Sequence, residues 1–110
     1  MKRSLRPAVP PAVALRYAGE VRKRLGSHVK EVLLFGSHAR GDATEESDYD
    51  FIVILDRFDR SLREAVVDVG ATMLNENSSL CAALVYGPEQ WERVKNSPLG
   101  WNVLNEGMSL

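Results

Sequence analysis

The chain has 110 residues, enough for one domain with a real core and little beyond it. Hydrophobic residues make up 45% and charged residues 26%, an ordinary globular balance, and the formal net charge is -1. These values give no support to nucleic-acid binding through bulk positive charge. No apolar run reaches membrane-spanning length, and the lone Cys81 excludes an internal disulfide.

Residues 1–9 read as an N-terminal tail, with a domain over 10–110. Met1 to Arg6 is locally basic, but prolines at 7, 10 and 11 and then Arg16, Glu20 and Arg22 interrupt any signal-like apolar stretch. The expected location is the cytoplasm. Pro10 and Pro11 suit a first helical turn. Val13, Tyr17, Val21 and Leu25 follow at four-residue steps and predict an amphipathic helix ending near Gly26. Arg22, Lys23 and Arg24 fall in its last turn, where the helix dipole favours them.

Glu31 to Phe35 reads as a buried strand broken by Gly36. Ser37 to Arg40 forms a short helix closed by Gly41, and residues 42–47 are a polar loop. Asp48 to Leu55 is a second strand. Its unbroken run from Phe51 to Leu55 implies burial on both faces. Leu62, Ala65, Val66, Val69 and Met73 mark another amphipathic helix, with a polar break over 75–79. Residues 80–86 make a third strand, and Cys81 within it reads as a small buried hydrophobe. Pro88 opens one more helix, and Leu99 to Glu106 is a last short segment ended by Gly107. The fold class is α+β (α/β), a small mixed sheet packed with helices.

The chemistry concentrates in residues 36–50. Asp48 and Asp50 are two apart on a strand, so they share a face. Two carboxylates side by side repel each other and are costly to bury. A divalent cation such as Mg²⁺ relieves both problems, with oxygen ligands supplied partly by substrate phosphate. Alternatively, both acids merely cap an exposed strand end. Gly36 and Ser37 add a second feature. A glycine opening a helical turn after a strand lets backbone N–H groups approach an anion, and Ser37 adds a hydroxyl donor. The pattern is not a P-loop, for the glycine-rich spacing and the following lysine are missing. Together the two features read as phosphate plus metal.

The string "GSHARGDATEESDYDFIVIL" closely resembles the minimal nucleotidyltransferases of the DNA polymerase β-like superfamily. The match is Gly36-Ser37, ten residues, then Asp48-Tyr49-Asp50, with Ala39-Arg40-Gly41 and Ser47-Asp48 as flanking elements. The resemblance implies a polymerase β palm-like fold. It also implies transfer of a nucleoside monophosphate from NTP·Mg²⁺ to an acceptor hydroxyl. Gly36 and Ser37 would hold the β and γ phosphates, and Asp48 and Asp50 the metal ions. Arg40 either contacts phosphate or pairs with an acid such as Asp42 or Asp48. His38 is not expected to be a general base.

One departure stands out. The superfamily has a third carboxylate on a later strand, and residues 80–86 contain no acid; Leu80 stands where related sequences carry it. Glu76 or Asp68 could substitute, the acceptor or a partner could supply the base, or the protein could act by binding alone. A domain this small has little room to recognise a large acceptor. The resemblance is to the antitoxin half of two-component modules. It implies an all-helical HEPN ribonuclease toxin as partner, ATP as nucleotide donor, and silencing by AMP transfer or by complex formation. A small-molecule-modifying enzyme is a further alternative. No membrane and no direct nucleic-acid contact are expected, and a homo-oligomer is open. Trp91 and Trp101 either cover the domain's own sheet or serve an interface.

Overall fold

The computed structural model describes residues 9–110, so the expected tail lies outside the described residues except for Val9. Pro11 precedes helix α1, Ala12–Leu25. Ala14, Tyr17, Ala18, Val21 and Leu25 form its buried stripe. Gly26, at φ +59°, turns the chain into a 3-10 turn, Gly26–His28. The exposed basic cluster at its end is put to use: Arg22 donates to the Leu110 carbonyl at 2.8 Å, and Arg24 to the Thr72 hydroxyl at 3.0 Å.

Strand β1, Val29–Phe35, runs into the one-turn helix α2, Ser37–Arg40. Strand β2, Tyr49–Leu55, returns antiparallel to β1. Helix α3, Arg60–Asn77, is the crossover that allows β3, Cys81–Tyr86, to lie parallel to β2. Asp59 caps α3 by accepting from the Ser61 and Leu62 N–H groups. Helices α4, Pro88–Lys95, and α5, Pro98–Glu106, follow, and β4, Met108–Ser109, pairs antiparallel with β1. The sheet order is β3-β2-β1-β4.

β1 begins at Val29 rather than Glu31, Asp48 and Leu80 fall just outside β2 and β3, and two further details differ from the sequence expectation. The polar stretch at 75–79 is the exposed last turn of α3 as far as Asn77, and Ser78 in the left-handed region ends it. A run of polar residues on a solvated turn looks like a loop. β4 is too short for any periodicity to reveal it.

The sheet is covered on both sides, as the apolar run 51–55 requires. Phe51, Val53 and Leu55 face α1 and α3 in the larger core with Tyr17, Val21, Val66, Val69 and Met73. Ile52 and Ile54 face the other way, with Leu33, Trp91 and Val103 under α4 and α5. Trp91 thus covers the protein's own sheet, whereas Trp101 is 64% exposed. Cys81 is buried in the larger core, and burial pushes its thiol up to about 11.

Tyr17 stacks on Phe51 with ring centroids 3.9 Å apart. Its hydroxyl is buried without a hydrogen-bond partner among the described residues, and desolvation holds its pKa well above the usual phenol value. An unsatisfied buried hydroxyl costs about 1–3 kcal/mol. Tyr17→Phe keeps the stack and removes that cost. It is therefore expected to raise stability by about 1 kcal/mol, measurable as a higher urea midpoint with an unchanged slope.

Candidate active site: a carboxylate pair beside a glycine-serine turn

The antiparallel pairing of β1 and β2 brings the end of one strand to the start of the other. Phe35 is the register partner of Asp50. Gly36 follows directly at φ +80°, a conformation that disfavours a side chain. A Cβ there would also run into the Asp50 carboxylate. The glycine therefore does two things: it turns the chain into α2 and leaves room for Asp50 against the turn.

The turn itself is tight. The Ala39 and Arg40 N–H groups donate to the Gly36 carbonyl at 3.1 and 3.0 Å, and those of Gly41 and Asp42 to the Ser37 carbonyl at 2.9 and 3.1 Å. No side chain caps α2. Its first N–H groups keep their donor capacity for an anion, with the Ser37 hydroxyl beside them.

Asp48 lies just before β2 and is exposed; Asp50 is half-buried. Burial first, then the neighbouring Asp48 charge, raises the pKa of Asp50, while His38 and Arg40 pull it down. Asp50 is thus a carboxylate held where its charge is poorly compensated.

The loop before the pair is locally fixed. The Thr44 N–H donates to the Ser47 hydroxyl at 2.9 Å, and the Ser47 N–H to the Thr44 carbonyl at 3.1 Å. His38 ties this loop to α2. Its ring lies flat on Tyr49, centroids 3.6 Å apart, and its Nε2 donates to the Ser47 carbonyl at 3.0 Å. Nothing in the sequence pattern marks this role, because the contact joins the turn to a loop nine residues on. Arg40 pairs with Asp42 at 3.2 Å and Glu106 at 3.5 Å, bracing α2 against the end of α5. A cleft of about 380 Å³ opens beside Asp48, lined by His38, Glu45, Glu46, Ser78, Ser79 and Leu80 among others.

Comparison with known proteins matches the Nucleotidyltransferase domain family over residues 16–97. The chain belongs to this family. A Methanocaldococcus jannaschii protein named as a protein adenylyltransferase is 33% identical over 95 residues, covering 86% of this chain and 90% of its own. Solved structures agree in fold. A chain of the toxin–antitoxin pair MntA–HpeT superposes with a TM-score of 0.59 at 20% identity, over 87% of this chain and 70% of that one. A toxin–antitoxin structure with AMP-PNP gives 0.59 at 16% identity, over 86% and 69%. A Sulfolobus solfataricus protein described as a nucleotidyltransferase gives 0.54 at 22% identity, over 88% and 75%. At these identities the likeness shows the fold.

For this nucleotidyltransferase-family chain, the strand expected to carry a third acid is β3. It lies parallel to β2 with Ala82 the register partner of Asp50. Ala82 and Leu84 therefore occupy the Asp50 face, and both are exposed, as is Leu80 just before the strand. Asp68 cannot readily substitute, since α3 packs on the opposite face of the sheet. Glu76, on the last turn of α3, is not among the residues lining the cleft at Asp48. Glu45 and Glu46 do line it, and sequence reasoning treated them only as loop.

Among the described residues no three acidic, histidine or cysteine side chains cluster as a metal cage. Two neighbouring carboxylates, one of them under-compensated, fit a cation that completes its shell with water and substrate phosphate. His38→Ala releases the loop from the turn without emptying a core position. The expected result is a Kd for Mg²⁺·ATP about tenfold weaker by calorimetric titration, with thermal stability little changed.

Proposed function

We propose that this protein is a Mg²⁺-dependent nucleotidyltransferase that moves AMP from ATP to a hydroxyl of a partner protein, with pyrophosphate released, and that it is the antitoxin of a cytoplasmic HEPN-type ribonuclease toxin. One observation carries the reading: the Asp50 carboxylate lies against the Gly36–Ser37 turn, with the Asp48 charge near enough to raise its pKa, which supports a site where cation ligands meet phosphate donors. The protein adenylyltransferase name of the Methanocaldococcus relative supports the reaction, and the toxin–antitoxin neighbours, one with AMP-PNP, support the setting.

In this reading the Ser37 hydroxyl and the first N–H groups of α2 receive the terminal phosphates. Asp48 and Asp50 hold the Mg²⁺, which supplies charge neutralisation at the transferring phosphoryl group. His38 keeps the acid-bearing loop against the turn, and Arg40 braces α2 from outside unless the nucleotide draws it from Asp42. The acceptor hydroxyl enters over β3, where the apolar Ala82 leaves its deprotonation to the acceptor's own surroundings or to the loop acids Glu45 and Glu46.

A second reading has a specific observation in its favour. The apolar face of β3 suits a protein that neutralises its partner by complex formation alone. Co-expression with the toxin separates the two. Loss of neutralisation in Asp48→Asn/Asp50→Asn, with the complex still forming, supports transfer. Full neutralisation by that variant supports binding alone.

A further inference from the structure

β3 ends the sheet and is paired on one side only, by β2. The Tyr49 N–H donates to the Leu80 carbonyl at 2.9 Å, which sets the phase of the strand. The backbone groups of Leu80, Ala82 and Leu84 turn toward β2, and those of Cys81, Ala83 and Val85 turn outward. Among the described residues nothing hydrogen-bonds to this outer row.

Natural sheets guard such edges with lysines, prolines, bulges or covering segments. β3 reads Cys-Ala-Ala-Leu-Val-Tyr, with no charge, no proline and no glycine. Its flanks are apolar too. Leu80 is 51% and Leu84 41% exposed; Val67 at 54% and Leu74 at 48% are exposed on α3. A groove of about 260 Å³ between α3 and the edge is lined by Val67, Gly70, Ala71, Leu74 and Leu80, with others.

The charges of α3 indicate what fits there. Its first turn carries Arg60 and Arg63 and no acid; its last turn carries Glu76 and no base. Apart from the Asp59 cap, that is the reverse of what its own dipole favours. Arg63 and Glu76 have no ion-pair partner among the described residues, whose pairs involve other groups. The same helix laid antiparallel alongside would set each basic first turn by an acidic last turn.

We propose that a second copy of this chain pairs with β3 antiparallel about a two-fold axis, joining two four-stranded sheets into one. An axis at Ala82 sets Leu80 of each copy opposite Leu84 of the other, and Cys81 opposite Ala83, so the outward backbone groups meet in register. The α3 flanks widen the contact toward the roughly 1,200 Å² or more that stable interfaces bury. This pairing does not depend on transfer activity.

Sedimentation equilibrium of the full chain tests it. The wild type is expected to be a dimer at tens of micromolar. L80K/L84K sets like charges across the axis and is expected to weaken association at least 100-fold. L80K/L84E sets opposite charges across the same axis and is expected to recover most of it. Both positions are exposed, and circular dichroism checks that the variants fold. Should the strand variants misfold, R63E is expected to weaken the dimer at least tenfold and R63E/E76R to restore it. A monomeric wild type up to about 100 μM, a dimer untouched by L80K/L84K and R63E, or equal weakening in each variant and its charge-swapped counterpart would overturn the proposal. So would a monomer that takes up a strand of a different protein at β3.

Discussion

Asp50→Asn is expected to leave a folded protein whose nucleotidyl transfer has dropped by about 10³-fold or more, since cation-borne charge stabilisation supplies several kcal/mol and each 1.36 kcal/mol is tenfold in rate. The same substitution should stabilise the free protein slightly. Burial and Asp48 hold the Asp50 carboxyl above its ordinary 3.8, so ionisation opposes folding. The sign follows from linkage. Stability associated with Asp50 is full below the unfolded value near 3.8 and is lost as pH rises through the raised folded value. At a half-exposed site solvent screening keeps the gain under about 1 kcal/mol. Urea titrations at pH 3.5 and pH 7 check it: wild type and variant should agree more closely at the lower pH. Adding Mg²⁺ with ATP should raise the melting temperature of the wild type and not that of Asp50→Asn.

Gly36→Ala is expected to be the most damaging single methyl addition in the Gly36–Ser37 turn. The residue sits at φ +80°, where a side chain costs about 1 kcal/mol or more. The new Cβ meets the Asp50 carboxylate, and that carboxylate belongs to β2, the strand buried on both faces. Either Asp50 rotates away or the turn shifts. Together these are expected to cost about 2–4 kcal/mol of stability and to abolish measurable Mg²⁺·ATP binding. Equilibrium unfolding and calorimetric titration read the two effects separately. Gly36→Ala combined with Asp50→Ala should regain much of the stability and none of the binding, because the clash goes while the ligand stays lost.

The elements that sequence made legible are those whose burial is periodic. The stripe Val13, Tyr17, Val21, Leu25 marks α1 because one helical face is dry, and Phe51 to Leu55 marks a strand because both its faces are. The α+β class follows from their order, and the palm-like form is what the family resemblance implies. The family was legible for a different reason: Gly36, Ser37, Asp48 and Asp50 are close in sequence, so their spacing records their chemistry. What escaped was non-local. His38 on Ser47 and Tyr49, Arg40 on Glu106, and β4 on β1 are contacts that only the folded chain creates. The absence of an acid on β3 was visible in the sequence. Its geometric meaning, Ala82 beside Asp50 on an exposed apolar strip, needed the parallel register.

Transfer to a protein hydroxyl is the centre of the functional reading, and one experiment addresses it most directly. Purified protein is incubated with Mg²⁺, ATP labelled at the α phosphate and the co-purified partner toxin, beside Asp48→Asn/Asp50→Asn. The expected result is label on the partner with the wild type and none with the variant. No label with the wild type, while the variant still binds and neutralises the toxin, would contradict transfer and leave a nucleotidyltransferase fold that acts by binding.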